Sequence, residues 1–336
     1  DGDCDGVLTA DDCDDGDDFS TTVESDGDCD GVLTADDCDD EDDTTIYDMD
    51  CDGVLADEDC DDGSATLGDI VIDPDCDGTE GYLSIYGGFM VTIPDQTFDM
   101  GCTDGMSACS SNEFPVHTVT LSSTFYVSET EVTQGQYLEL MGTNPSVLSG
   151  CGLECPVENV TWHMAADFAN AVSEAELLAE CYTCTGSGLD TECEEAVGPY
   201  DCEGYRLPAE AEWEAAARCG EDTLYAGSDV PGEVAWFSLN SGSTSHPVAM
   251  LSANACGLYD MNGNVWEWTG DWYESDFYEV SPELDPVGAS SGETRSGRGG
   301  CWGFMNNSNR VPFRFGRSPA VHGSFLGFRL ARTGGL

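Results

Sequence analysis

Aspartate stands at relative positions 1, 3, 5 and 12 of a segment that occurs three times, starting at Asp1, Asp26 and Asp48, and each copy holds Gly at position 6. Short carboxylates on alternate residues converge on one point only if the backbone curls sharply, and Gly permits that curl. Such a loop suits a calcium ion, which takes about six to eight oxygens at roughly 2.3–2.6 Å. The expected ligands are Asp1, Asp3, Asp5 and Asp12 with the Val7 carbonyl; Asp26, Asp28, Asp30 and Asp37 with that of Val32; and Asp48, Asp50, Asp52 and Asp59 with that of Val54. A fourth copy keeps Asp73, Asp75 and Asp77 but has Ser84 at the twelfth place. Each of the first three copies also carries two cysteines nine residues apart, Cys4 with Cys13, Cys29 with Cys38 and Cys51 with Cys60, which reads as one disulfide per repeat. A repeat with so few apolar residues cannot build a core, so ion and crosslink must hold it.

The charge balance points the same way. The 336 residues hold 68 Asp and Glu against 9 basic residues, all Arg, for a net charge of −59. Phosphate backbones and anionic lipid surfaces repel such a chain and multivalent cations are drawn to it, so nucleic acid is excluded as a partner. The acid is concentrated: residues 1–77 hold 32 of the carboxylates and no basic residue. Three regions are therefore expected: an extended calcium-binding arm over 1–77, a linker over 78–86 and a globular domain over 87–336. Eighteen cysteines fit an oxidising compartment, a secreted or cell-surface protein. No apolar run is long enough to span a membrane and no leader opens the chain; a signal peptide, if the protein has one, is expected to have been removed or to lie outside this sequence.

The elements of the globular part follow from periodicity. FMVTIP and HTVTLSSTFYV alternate as strands do. A helix is expected from Trp162 to about Glu180, with Ala165, Phe168, Ala169 and Val172 on one face, and a second from Pro208 to Arg218, stopped by Gly220. Gly-rich and Ser-rich connections dominate elsewhere, so the fold class is α+β with much irregular structure.

Two resemblances sharpen this. The arm has the ligand register of an EF-hand loop and resembles the aspartate-rich calcium repeats of bacterial surface proteins and, more distantly, thrombospondin type 3 repeats and dockerins. The segments FMVTIPDQTFDMG, EFPVHTVTL, EVTQGQY, NPS, PVENVTW, YRLPAEAEWEAAARCG, GLYDMNGNVWEWTGDWY, RGGCW and GFRLAR resemble, in order, the formylglycine-generating enzyme (sulfatase-modifying factor) family. That resemblance implies a variant of the C-type lectin fold, stabilised by buried Trp and Arg. It also implies a structural calcium site at Asp260, Gly263, Val265 and Glu267, with Glu267 paired to a core Arg as the alternative; the family's other calcium site has no counterpart here. Trp266, Trp268 and Trp272 are expected in the core, and Arg206, Arg298, Arg314 and Arg329 in buried charge-assisted bonds.

The same resemblance sets the test for activity. Oxidising members bind copper(I) with two cysteines, two and seven places beyond the aromatic residue of RGG-S/C-W, and those places hold Phe304 and Asn309. Neither is a copper ligand. The iron-dependent branch takes histidines from an added helical domain, whereas His117, His163, His246 and His322 are scattered. Cys102 with Cys109 and Cys151 with Cys155 are expected to staple loops; Cys181, Cys184, Cys193, Cys202, Cys219, Cys256 and Cys301 have several possible pairings, Cys76 making the total even, and the CYTC spacing of Cys181 and Cys184 reads as a structural pair rather than a redox motif because it follows a helix. Asn159 and Asn306 lie in glycosylation sequons. The reading that follows is an extracellular, calcium-stabilised structural or adhesive protein, non-catalytic and self-associating, with a surface filament as the assembly it would form. The alternatives are a module binding glycans or proteins, and a copper oxidase acting on a sulfatase cysteine.

Overall fold

The computed structural model describes residues 81–103, 105–106 and 108–334. The calcium loops expected from Asp1 to Asp77 and the pairs Cys4–Cys13, Cys29–Cys38 and Cys51–Cys60 lie outside the described residues. A compact unit runs from Leu83 to Leu336, a mixed α/β body with few helices.

Alternating apolar residues build its first sheet, in the order Gly81–Ser84, Gly88–Ile93, Phe125–Ser128, Ala331–Thr333, Tyr205–Arg206. Val127 faces Val91 on one side and Ala331 on the other, all buried, so the two ends of the domain sequence close on one core row. The second sheet runs Phe315–Arg317, Arg295–Arg298, Trp266–Trp272, Leu326–Gly327. Within it Glu267 sits opposite Arg298 and beside Gly327. Gly327 is obligatory there, because a Cβ would meet the Val157 carbonyl oxygen at 2.4 Å.

Three helices of at least two turns pack on these sheets. Helix α1 (Gln134–Met141) opens with a reciprocal cap between Thr133 and Gln136. Helix α2 (Trp162–Ala175) is capped by Thr161, whose hydroxyl accepts the Met164 amide at 3.1 Å, and it buries Ala165, Phe168, Ala169 and Val172. It stops short of Glu180. The Glu176 carboxylate is gripped by the Ser84 and Tyr205 hydroxyls at 2.6 and 2.7 Å, and Leu177 turns left-handed at φ 60°, redirecting the chain. Helix α3 (Glu210–Arg218) starts after Pro208, its Glu212 reaching back to the Ala209 amide at 2.8 Å. It ends one residue before Gly220, at Cys219 in the left-handed region.

Five disulfides fasten the irregular segments: Cys102–Cys109, Cys151–Cys155, Cys181–Cys202, Cys184–Cys193 and Cys219–Cys256. Cys181 and Cys184 are thus not bonded to each other. Cys184 lies inside a hairpin, Tyr182–Thr185 with Glu192–Glu195, where it faces Cys193 directly, while Cys181, just before the first strand, anchors the base to Cys202. Disulfides persist in oxidising surroundings, which places such a chain outside a reducing cytoplasm. Among the described residues no helix is long and apolar enough to cross a membrane.

Candidate functional site

The domain interior is organised by charge. Glu210, Glu212 and Glu214 of α3 are all buried, and each meets an arginine: Arg314 grips Glu210 with two bonds of 2.7 Å, Arg206 grips Glu212 at 2.6 and 2.7 Å, and Arg298 and Arg218 share Glu214. Arg310 grips Glu113 with two bonds of 2.8 Å. Bidentate fork geometry of this kind fixes register as well as charge.

One cluster is not balanced. Glu131, Asp260 and Glu267 are buried together with a single guanidinium, Arg329. Arg329 donates to Glu267 Oε2 and Oε1 at 2.8 and 2.9 Å, and Trp213 Nε1 adds 2.6 Å to Oε2. Two donors fill Oε2, whereas Oε1 keeps a lone pair. Asp260, left-handed at φ 55°, accepts the Ala249 amide at 2.8 Å. Glu131 accepts the Val265 amide at 2.9 Å and the Asn264 side chain at 2.7 Å. Burial, then repulsion from Asp260 and Glu267, hold the Glu131 carboxyl well above its ordinary range, and burial pushes Asp260 up to about 6. Buried carboxylates are the donor type a hard divalent cation takes, but the Glu131, Asp260 and Glu267 oxygens are not among the groups that converge within 4.8 Å of one another. Glu131 is a member of this cluster that its EVT segment alone does not reveal, because only folding brings it to Asp260. The groupings of acidic, His and Cys side chains within 4.8 Å of one another among the described residues are Cys102, Cys109 with Glu113, and Asp167 with Cys184, Cys193. Their sulfurs are committed to disulfides.

Phe304 and Asn309 lie beyond the Gly299–Gly300 turn that ends the Arg295–Arg298 strand. Gly299 and Gly300 both have positive φ, and a Cβ on Gly300 would strike the Asn309 side chain at 2.2 Å. Asn309 is fully buried, and neither its Nδ2 nor its Oδ1 has a hydrogen-bond partner. Phe304 is 42% exposed and forms a wall of a cavity of about 150 Å³ lined by Trp266, Ser308, Phe313, Phe315, Arg317 and Phe325. Trp266 is its hub, 4.4 Å from Phe315, 5.6 Å from Phe313 and 6.0 Å from Phe304 between ring centroids. Cys301 is the free cysteine among the described residues; it is buried, and desolvation pushes its thiol up to about 12. Cys256 is bonded to Cys219 and not available to it. Trp268 is fully buried and donates to the Val160 carbonyl at 3.2 Å, whereas Trp272 is half-buried and stacks on Arg295, 3.6 Å from its guanidinium carbon.

Comparison with known proteins completes the picture. The model of the sulfatase-modifying factor enzyme 1-like domain matches residues 86–334. The chaperone protein LppX of Paenibacillus barcinonensis is 33% identical over 62% of this chain and 80% of its own length. The formylglycine-generating enzyme of Streptomyces coelicolor is 29% identical over 73% of this chain and 90% of its own. Among solved structures, Treponema denticola variable protein 1 superposes with a TM-score of 0.64 at 34% identity, over 73% of this chain and 94% of that one.

Proposed function

Because the chain belongs to the sulfatase-modifying factor enzyme 1-like family, we propose that it is an extracellular, calcium-stabilised adhesive protein in which the family's lectin-like fold binds rather than oxidises. The observation that carries this reading is Phe304, an aromatic wall of the Trp266 cavity at the place where oxidising members put a copper-binding thiol. A phenyl ring and a carboxamide supply no soft ligand for copper(I), and the nearby Cys301 is a buried, protonated thiol. A small aromatic cavity with a half-exposed rim instead suits an apolar side chain of a partner.

In this reading calcium acts twice. Asp260, Glu267 and the carbonyls of Gly263 and Val265, with Glu131 beside them, would hold one ion in the body. The aspartate loops from Asp1 to Asp77 would hold others, turning a self-repelling segment into a stiff connector. An arm that cannot bury its own core gains by docking on another copy, and head-to-tail docking propagates unless it closes into a ring. Sedimentation velocity of the full chain, with calcium and with chelator, tests this. Assemblies are expected with calcium, shrinking in the Phe304→Ser variant; monomers under every condition would refute self-association.

A further inference from the structure

A second cavity, under the disulfide-stapled hairpin, belongs to neither site above. It measures about 340 Å³, at the lower end of the roughly 300–1,000 Å³ typical of small-ligand sites. Residues 197–201, Arg206, Gly270, Asp271 and the segment holding Val287, Ala289 and Ser290 all contribute to its walls. Tyr200 ties the walls together by donating its hydroxyl to the Pro286 carbonyl at 2.9 Å. Val197, Leu207 and Val287 make much of the lining apolar.

Asp271 is what the fold leaves unexplained. It is 5% exposed, and its Oδ1 accepts the Glu210 amide at the start of α3, at 3.0 Å. Yet no ion pair among the described residues includes it, and the arginines around it are committed: Arg206 to Glu212, Arg295 to Glu195 and Arg314 to Glu210. Burial, then the Glu210 charge, hold its carboxyl well above the usual range. The end of a helix offsets only part of a charge. Arg206 also lines the cavity but is neutralised by Glu212, so Asp271 is left without a counter-charge, and exposed Asp201 in the same lining adds a second negative charge. This chain has no Lys with which to answer that need.

We propose that this cavity takes a cationic side chain from a partner, its ammonium or guanidinium meeting Asp271 and its methylene stem lying along Val197, Leu207 and Val287. The net charge of −59 favours the same class of partner at long range. A free amine and a lysine within a protein share this chemistry, and the choice of probe separates them.

The test is calorimetric titration of the full chain at about 0.15 M salt, where exposed charges are largely screened, with the N-acetyl methylamides of lysine, arginine and norleucine, and with butylamine. Lysine or arginine amide should bind at least tenfold more tightly than the uncharged norleucine amide. Asp271→Asn should lose at least tenfold of that affinity. Val287→Trp, which puts a bulkier side chain into the half-exposed lining while leaving Asp271 in place, should lose as much, and it decides the matter if Asp271→Asn fails to fold. Butylamine binding as tightly as the amides would identify a free amine as the ligand; weaker binding would point to a protein side chain. Equal affinity for norleucine amide, no binding of any cation, or binding unchanged in both variants would overturn the proposal, the last outcome because the diffuse acidic field alone would then suffice.

Discussion

Withdrawing calcium should make the domain's stability depend on pH, with a sign that the buried carboxylates dictate. Asp260 has its pKa pushed up to about 6, against an ordinary value of 3.8. A carboxyl that holds its proton more tightly in the folded chain makes folding take up a proton. The ion-free domain should thus be most stable at or below about pH 4 as far as this group is concerned, and lose stability as pH rises to about 6. A shift of about two units corresponds to about 3 kcal/mol, or a fall in Tm of roughly 6–12 °C for a domain of this size. Calcium at about a hundred times its Kd would restore about 2.7 kcal/mol, and chiefly above pH 6, where the carboxylates must ionise to bind it. All seven Trp lie between residues 162 and 302, so Trp fluorescence on thermal unfolding reports the body and not the arm. Asp260→Asn separates the effects, since it removes the charge and keeps an acceptor for the Ala249 amide. The variant should be more stable than the parent at pH 8 in chelator, yet gain less from calcium. A parent whose Tm in chelator does not fall between pH 4 and pH 7, or a variant that gains as much from calcium, would refute the reasoning.

Four other outcomes are expected. Arg329→Ala strands the Glu267 carboxylate in the core and should destabilise the domain by about 3–5 kcal/mol, measured by urea unfolding. Trp268→Ala, which empties a fully buried ring site, should cost about 3–5 kcal/mol in the same assay. Cys219→Ser opens the link to Cys256 across 37 residues and should cost about 2–4 kcal/mol. Cys301, with its thiol pushed up to about 12, should resist iodoacetamide in the native protein and react only in denaturant, as mass spectrometry would show.

Much of the fold was legible because its signals are local. Alternation marked Gly88–Ile93, His117–Leu121 and Phe125–Ser128 as strands, and an apolar stripe marked α2. The end of α2 was not legible, because what stops it is a long-range grip on Glu176 by Ser84 and Tyr205. Cysteine pairing was legible for Cys102–Cys109 and Cys151–Cys155 and not for Cys181–Cys202, Cys184–Cys193 or Cys219–Cys256, which depend on how the hairpin and the helix end are placed in the fold. The buried role of Arg206, Arg298, Arg314 and Arg329 could be anticipated from their motifs, but the carboxylate that each one grips could not. Glu131 escaped notice for the same reason: it lies 129 residues from Asp260 along the chain, and only folding joins them. Asp271 likewise reads as one more acid in a strand until its neighbours' arginines are seen to be spoken for.

The claim on which the rest turns is that this member of the family binds and does not oxidise. The full chain, with its free thiol intact, should be loaded with copper(I) in air and given a cysteine peptide of the sulfatase type, with the peptide followed by mass spectrometry. The account predicts that the peptide cysteine stays a thiol or merely forms disulfides, with no more aldehyde than copper alone yields. Catalytic appearance of the aldehyde, abolished by Cys301→Ser, would contradict it.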